Sequence, residues 1–171
     1  MHPVIKSLGA AGFTDWLPID RNQIDPKVGF GVTLSAGANL TYSIQHAYED
    51  PAAKVQVFLT RVTTTATMKK VGHKLRVADS VIVDAAAPFG GTFAVASVVD
   101  ADNITYTVAN SGATKDTGMA AGLRPFSHAD VAAETTDQNG SYLFPISAMR
   151  LIITAFTGGT ATLTMVQTGV R

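Results

Sequence analysis

Apolar and polar residues alternate along much of this chain with the two-residue period of a β-strand that buries one face. Leu40, Tyr42, Ile44 and His46 alternate with Thr41, Ser43 and Gln45. Val32-Thr-Leu34 precedes this run across Ser35-Ala-Gly-Ala-Asn39, so the pair reads as a hairpin. Val55-Gln-Val-Phe-Leu-Thr-Arg61 starts another strand. Ser80–Val83, Thr92–Val99 and Ile104–Val108 read as three short strands, punctuated by Pro88-Phe-Gly-Gly91 and Asp100-Ala-Asp-Asn103. Strands so short and closely spaced predict a small curled sheet or barrel. Arg21 to Gly31 reads as loop, Asn110 to Gly122 as a Ser/Gly/Ala/Thr-rich linker, and Ala129 to Glu134 as a helical turn or a loop. No stretch carries a helical period of 3.6, so the prediction is an all-β chain.

The C-terminal run Ser147 to Gln167 has two β-rich arms around Gly158-Gly159 and predicts a hairpin with a three-residue loop, Thr157 to Gly159. That register pairs Ala155 with Ala161, Ile153 with Leu163 and Leu151 with Met165 on one face. Such a ribbon needs a partner sheet. Phe13-Thr-Asp-Trp-Leu-Pro-Ile-Asp20 reads as an edge strand or extended arm, because proline cannot donate to a central ladder. The expected organisation is an N-terminal arm over 1–20, a β-sandwich from 21–63 plus 123–171, and an inserted small β-domain over 64–122.

Composition narrows the function classes. Thirteen basic and thirteen acidic side chains cancel, leaving no net field to recruit nucleic acid or an anionic membrane. Charged residues make up only 15%, which suits a surface partly covered by partners. The absence of cysteine excludes disulfides, thiolate metal sites and cysteine nucleophiles. The N-terminus lacks the apolar core of a signal peptide, and no segment approaches the ~20 apolar residues of a membrane span.

The candidate chemistry is sparse. His2, His46, His73 and His128 stand in four unrelated contexts without zinc-ligand spacing, and no Gly-x-Ser-x-Gly elbow occurs. Asp100 and Asp102 lack the glycine and terminal glutamate of a calcium loop and read as a turn. Lys69, Lys70, His73, Lys74 and Arg76 form a local basic cluster without interleaved aromatics, which favours a solvated face over a nucleic-acid site. Gly90-Gly91 and Gly158-Gly159 join strands, so neither reads as a phosphate cradle. These residues assemble into no active site, and no enzyme activity or cofactor is expected.

Several landmarks, in order, resemble the small structural proteins of tailed bacteriophages of the capsid decoration (cement) type. They are Asp15-Trp-Leu-Pro-Ile-Asp20, Leu40-Thr-Tyr-Ser-Ile-Gln-His-Ala47 followed by Asp50, and Pro145-Ile-Ser-Ala-Met-Arg-Leu151 with Gly158-Gly159 and Gln167-Thr-Gly169. The resemblance covers both outer segments. It implies an antiparallel jelly-roll-like β-sandwich, a homotrimer bound to the major capsid protein, and a place on the virion surface after assembly in the host cytoplasm. It implies no catalysis, nucleic acid, membrane or small-molecule substrate. The middle segment is similar to a recurring phage barrel module that opens His-x-Leu-x-x-Gly-Asp-x-Val-x-Val. Here the matching residues are His73-Lys-Leu-Arg-Val-Ala-Asp-Ser-Val-Ile-Val83, Gly91-Thr-Phe-Ala-Val95 and Ile104-Thr-Tyr106. Ala78 stands where the module has glycine and Ile104 where it has an aromatic, so the turn before Asp79 is expected to differ.

On this reading Phe13, Trp16 and Leu17 are the candidate interface anchors, with Trp16 as a core residue the alternative. A tail, fibre or baseplate component that uses the insert for docking or host recognition is a second reading. A carbohydrate-binding or hydrolytic accessory domain is a third.

Overall fold

The computed structural model describes residues 3–20 and 27–167. His2, most of the expected loop after Asp20 and the closing Thr168-Gly169 lie outside them. The described residues form strands and irregular connections and contain no helix. In chain order the strands are β1 (Val4–Leu8), β2 (Gly12–Phe13), β3 (Leu17–Pro18), β4 (Val28–Leu34), β5 (Asn39–Ala47), β6 (Val55–Val62), β7 (Thr65–Lys69) and β8 (Ser80–Asp84). They continue with β9 (Gly91–Ala94), β10 (Ser97–Val98), β11 (Asn103–Thr107), β12 (Lys115–Leu123), β13 (Phe126–Ser127), β14 (Gln138–Tyr142), β15 (Ala148–Gly158) and β16 (Ala161–Gln167).

The chain divides into two compact units, Met1–Tyr48 with Phe126–Arg171, and Glu49–Pro125. The insert is therefore longer at both ends than 64–122, and β6 belongs to it rather than to the sandwich. Its core explains why: Val57 and Leu59 of β6 pack with Met68, Val81, Val83 and Tyr106 of the same unit.

The outer unit is an antiparallel sandwich of two sheets, ordered β1-β16-β4-β14 and β13-β5-β15-β2, with β3 also paired to β15. β2 and β3 are two halves of one edge strand. Phe13 pairs with Ile152 and Leu17 with Met149, a one-residue slip that marks a bulge between them. The chain changes sheet at every connection except the one carrying the insert, where β5 and β13 are neighbours. That strand order is a jelly roll, two interlocked Greek keys with the insert in one connection.

Two expected hairpins are absent, because β4 and β5 lie in different sheets and so do β15 and β16. β15 pairs with β5, and β16 lies between β1 and β4. The inward faces are nevertheless those the alternation predicts. Leu151 and Ile153 from one sheet join Leu163 and Met165 from the other in a single core, while Ala155 lies outside it, beyond the register shift after Ile153. The two sheet-crossing turns lock together: Ser35 N donates to Thr160 O at 2.9 Å, and Thr160 N donates to Ser35 Oγ at 3.0 Å. Gly159 has φ +95°, and a Cβ there would meet Ala38 Cα at 2.6 Å, so this turn needs glycine on both counts.

Loop readings change in three places. Val28 to Gly31 belongs to β4, with Val28 and Phe30 in the core. Residues 129–134 run beside β5 without helix, with Ile44 N bonded to Val131 O and Tyr42 exchanging backbone bonds with Glu134. The expected linker 110–122 contains all but the last residue of β12, which lies between β6 and β8. Its small residues are there for close packing: a Cβ on Gly118 would lie 2.5 Å from Asp84 O, and one on Gly122 would lie 2.5 Å from Leu75 Cδ2.

The insert is one sheet ordered β10-β11-β7-β6-β12-β8-β9. Its two edges, β9 and β10, are separated in sequence only by Val95 and Ala96. Val95 N reaches Asp79 O on one side and Ala96 N reaches Thr105 O on the other, both at 2.8 Å, so the sheet curls back on itself. Phe93 and Tyr106 close the curl with ring centroids 4.6 Å apart. Ala78 adopts the left-handed conformation (φ 71°) despite its methyl group, with Ala78 N donating to Val95 O at 2.9 Å.

Candidate functional site

The three sequence-predicted anchors sit on the bulged edge strand. Leu17 is in the sandwich core, and Trp16, 6% exposed, is close to fully covered. Trp16 is buried rather than a free anchor, but it packs outside the cluster that fills the space between the two sheets. β15 turns Met149, Leu151 and Ile153 into the core, so Arg150 points to the opposite face, where its guanidinium carbon lies 4.4 Å from both the Phe13 and Trp16 ring centroids. Arg150 Nε also donates to Gln45 Oε1 at 3.0 Å. Burial pulls the Arg150 pKa down to about 10, which leaves it charged at neutral pH. Residues 4–20 thus complete both sheets and do not form a detached arm, since β1 pairs along its length with β16.

The described histidines do different things. His73 is buried in the insert, where Nδ1 accepts from Leu75 N at 2.9 Å and Nε2 lies 3.0 Å from Asp100 O. Asp100 Oδ1 accepts from the backbone N–H of Asp102 and of Asn103, each at 2.8 Å. These bonds, with the Asn103 side chain, hold the Asp100 pKa below the usual carboxylate range, as expected of a turn. Within the basic cluster, Lys70 has its pKa lowered by burial. Among the described residues no three His, Asp or Glu side chains gather as metal ligands.

His46 and His128 meet in a feature that the sequence reading missed. At one end of the sandwich, β5, β13 and the segment after β14 converge on an open cleft of about 440 Å³. Its exposed rings are Tyr48, Phe126 and Phe144, at 47%, 40% and 45% exposure. Beneath them are the buried side chains of His46, His128 and Tyr142. His46 stacks on its strand partner Phe126 at 5.7 Å and meets Tyr142 edge-on at 5.0 Å. His128 is satisfied, with Nε2 3.3 Å from Ser141 O and Nδ1 accepting from Asp130 N at 3.2 Å. His46 Nδ1 and the Tyr142 hydroxyl are buried without a protein hydrogen-bond partner. Burial, then the neighbouring His128, lowers the His46 pKa, and burial raises that of Tyr142.

No family model, curated protein or solved structure matches the chain. Its own geometry is what bears on function. The available sequence signal for the cleft was four aromatics at strand ends, Tyr48, Phe126, Tyr142 and Phe144, in stretches separated by up to ~100 positions; only the fold makes them neighbours.

Proposed function

We propose that this protein is a non-catalytic structural component of a tailed-phage virion, a capsid decoration protein that binds and stabilises the assembled head through contacts with the major capsid protein. The observation that supports this reading is the strand order of the outer unit. A jelly roll assembled from both chain ends, interrupted by one small barrel, is the architecture that the resemblance of the outer and middle segments implies. A rigid two-sheet body suits a cement role, because broad contacts between preformed surfaces spend little on ordering. Affinity of such a protein grows further if several copies act together.

Trp16 and Leu17 are buried and Phe13 is half-buried against Arg150, so more exposed surfaces make most of the contacts. Purified protein mixed with expanded heads of the encoding phage should co-sediment to saturation and raise the temperature at which the heads rupture. Immunogold label found on tails and absent from heads would replace this reading with a tail or baseplate role.

A further inference from the structure

We propose that the aromatic cleft of the outer unit is a binding site for a neutral sugar ring, a site that stands apart from the capsid reading. The rim supplies three exposed ring faces, from Tyr48, Phe126 and Phe144, around a space of about 440 Å³. That volume lies within the usual range of small-molecule sites, ~300–1,000 Å³. Exposed aromatics clustered at one strand end are costly to leave in water, and their flat apolar faces match the C–H face of a pyranose.

Charge and hydrogen bonding narrow the ligand. The lining carries one carboxylate, Asp130, and no lysine or arginine, which disfavours phosphates, sulfates and acidic sugars. A wholly apolar ligand would leave the polar lining uncompensated. His46 Nδ1 and the Tyr142 hydroxyl are already buried without protein partners, and each such group carries a desolvation cost. A neutral imidazole and a phenol can between them donate and accept, and a sugar hydroxyl does both. The lowered His46 pKa keeps the ring neutral at physiological pH, which preserves that capacity. The Phe144 ring packs against both residues, 5.7 Å from the His46 ring and 5.6 Å from the Tyr142 ring, and lies between β14 and β15 outside either strand, so a sugar that reaches the two atoms does so by displacing it.

The test is an NMR titration of the full chain with the methyl glycosides of glucose, galactose and mannose, with N-acetylglucosamine, and with tetramethylammonium chloride as the cationic competitor. At least one sugar should give saturable shifts of the Tyr48, Phe126 and Phe144 ring resonances. Tyr48→Ala and Phe144→Ala, both at exposed positions, should weaken that binding by about tenfold, the value of one stacked ring, ~1.4 kcal/mol. Tyr142→Phe keeps the ring, removes only the unpartnered hydroxyl, and should weaken binding by a similar factor. The proposal is overturned if no sugar gives a saturable shift, if tetramethylammonium binds while the sugars do not, or if sugar shifts persist unchanged in both rim variants.

Discussion

Arg150 lies with its guanidinium carbon 4.4 Å above the Trp16 ring, holding the bulged edge strand to the face of β15 that points away from the core. A cation held against an aromatic face and hydrogen-bonded to Gln45 contributes through packing as well as charge.

Trp16→Ala should therefore destabilise the outer unit by about 3 kcal/mol, the lower end of the range for a buried aromatic. Arg150→Lys keeps the charge and loses the planar stack, so a smaller loss of about 1 kcal/mol is expected. Trp16 is the single tryptophan, so its fluorescence reports on this contact directly. Emission should be blue-shifted in the native protein and move to the red at the same urea concentration as loss of the far-UV β signal.

Ala78 pays for a backbone conformation that glycine adopts freely. Ala78→Gly should stabilise the insert by roughly 0.5–1 kcal/mol, since relief of left-handed strain outweighs glycine's greater unfolded-state entropy. An unchanged or lowered denaturation midpoint in calorimetry would count against strain at this turn.

Gly118 works the other way. A methyl group there meets the Asp84 carbonyl oxygen at 2.5 Å, and backbone cannot rotate aside as a side chain does. Gly118→Ala should cost about 1–3 kcal/mol, whereas Gly122→Ala, which meets the flexible end of Leu75, should cost less. Hydrogen exchange resolved by residue should show lost protection over β6, β8 and β12.

Acidification should weaken the outer unit through His46. Its folded pKa is depressed by burial and by His128, so the unfolded chain takes up a proton at a higher pH than the folded one. The corresponding stability is complete above the unfolded value of about 6.5 and is lost as pH falls from there through the lower folded value. In the insert, Asp100 has its pKa lowered by its turn hydrogen bonds, so acid weakens that unit too, but in the more acidic carboxylate range. Melting temperature followed from neutral pH to pH ~5 should fall in the wild type, and His46→Phe should flatten the curve in that window.

Much of the secondary structure is legible along the chain, and so is the side most strand residues face, Ala155 beyond the register shift excepted. The alternation through Leu151 and Ile153, and again through Leu163 and Met165, sends those four residues inward whichever strands lie beside them, because the pleat has a period of two regardless of pairing. The Asp100–Asn103 turn and the Gly158-Gly159 reversal are likewise local, set by side-chain bonds to nearby backbone and by glycine's tolerance of positive φ.

Partner choice is different. Backbone hydrogen bonds are the same for any neighbour, so nothing within Ser147 to Gln167 distinguishes a hairpin from two strands in opposite sheets; the rest of the sandwich decides it through the core it leaves to fill. The Ala- and Gly-rich composition of β12 reads as linker until Asp84 and Leu75 lie against it. Trp16 finds Arg150, and Tyr48 finds Phe126 and Phe144, only once β5, β13 and β15 lie side by side. Local pattern sets a β chain with defined inward faces. The jelly-roll order, the boundaries of the insert and the aromatic cleft depend on contacts between residues far apart along the chain, so they exist only in the folded molecule.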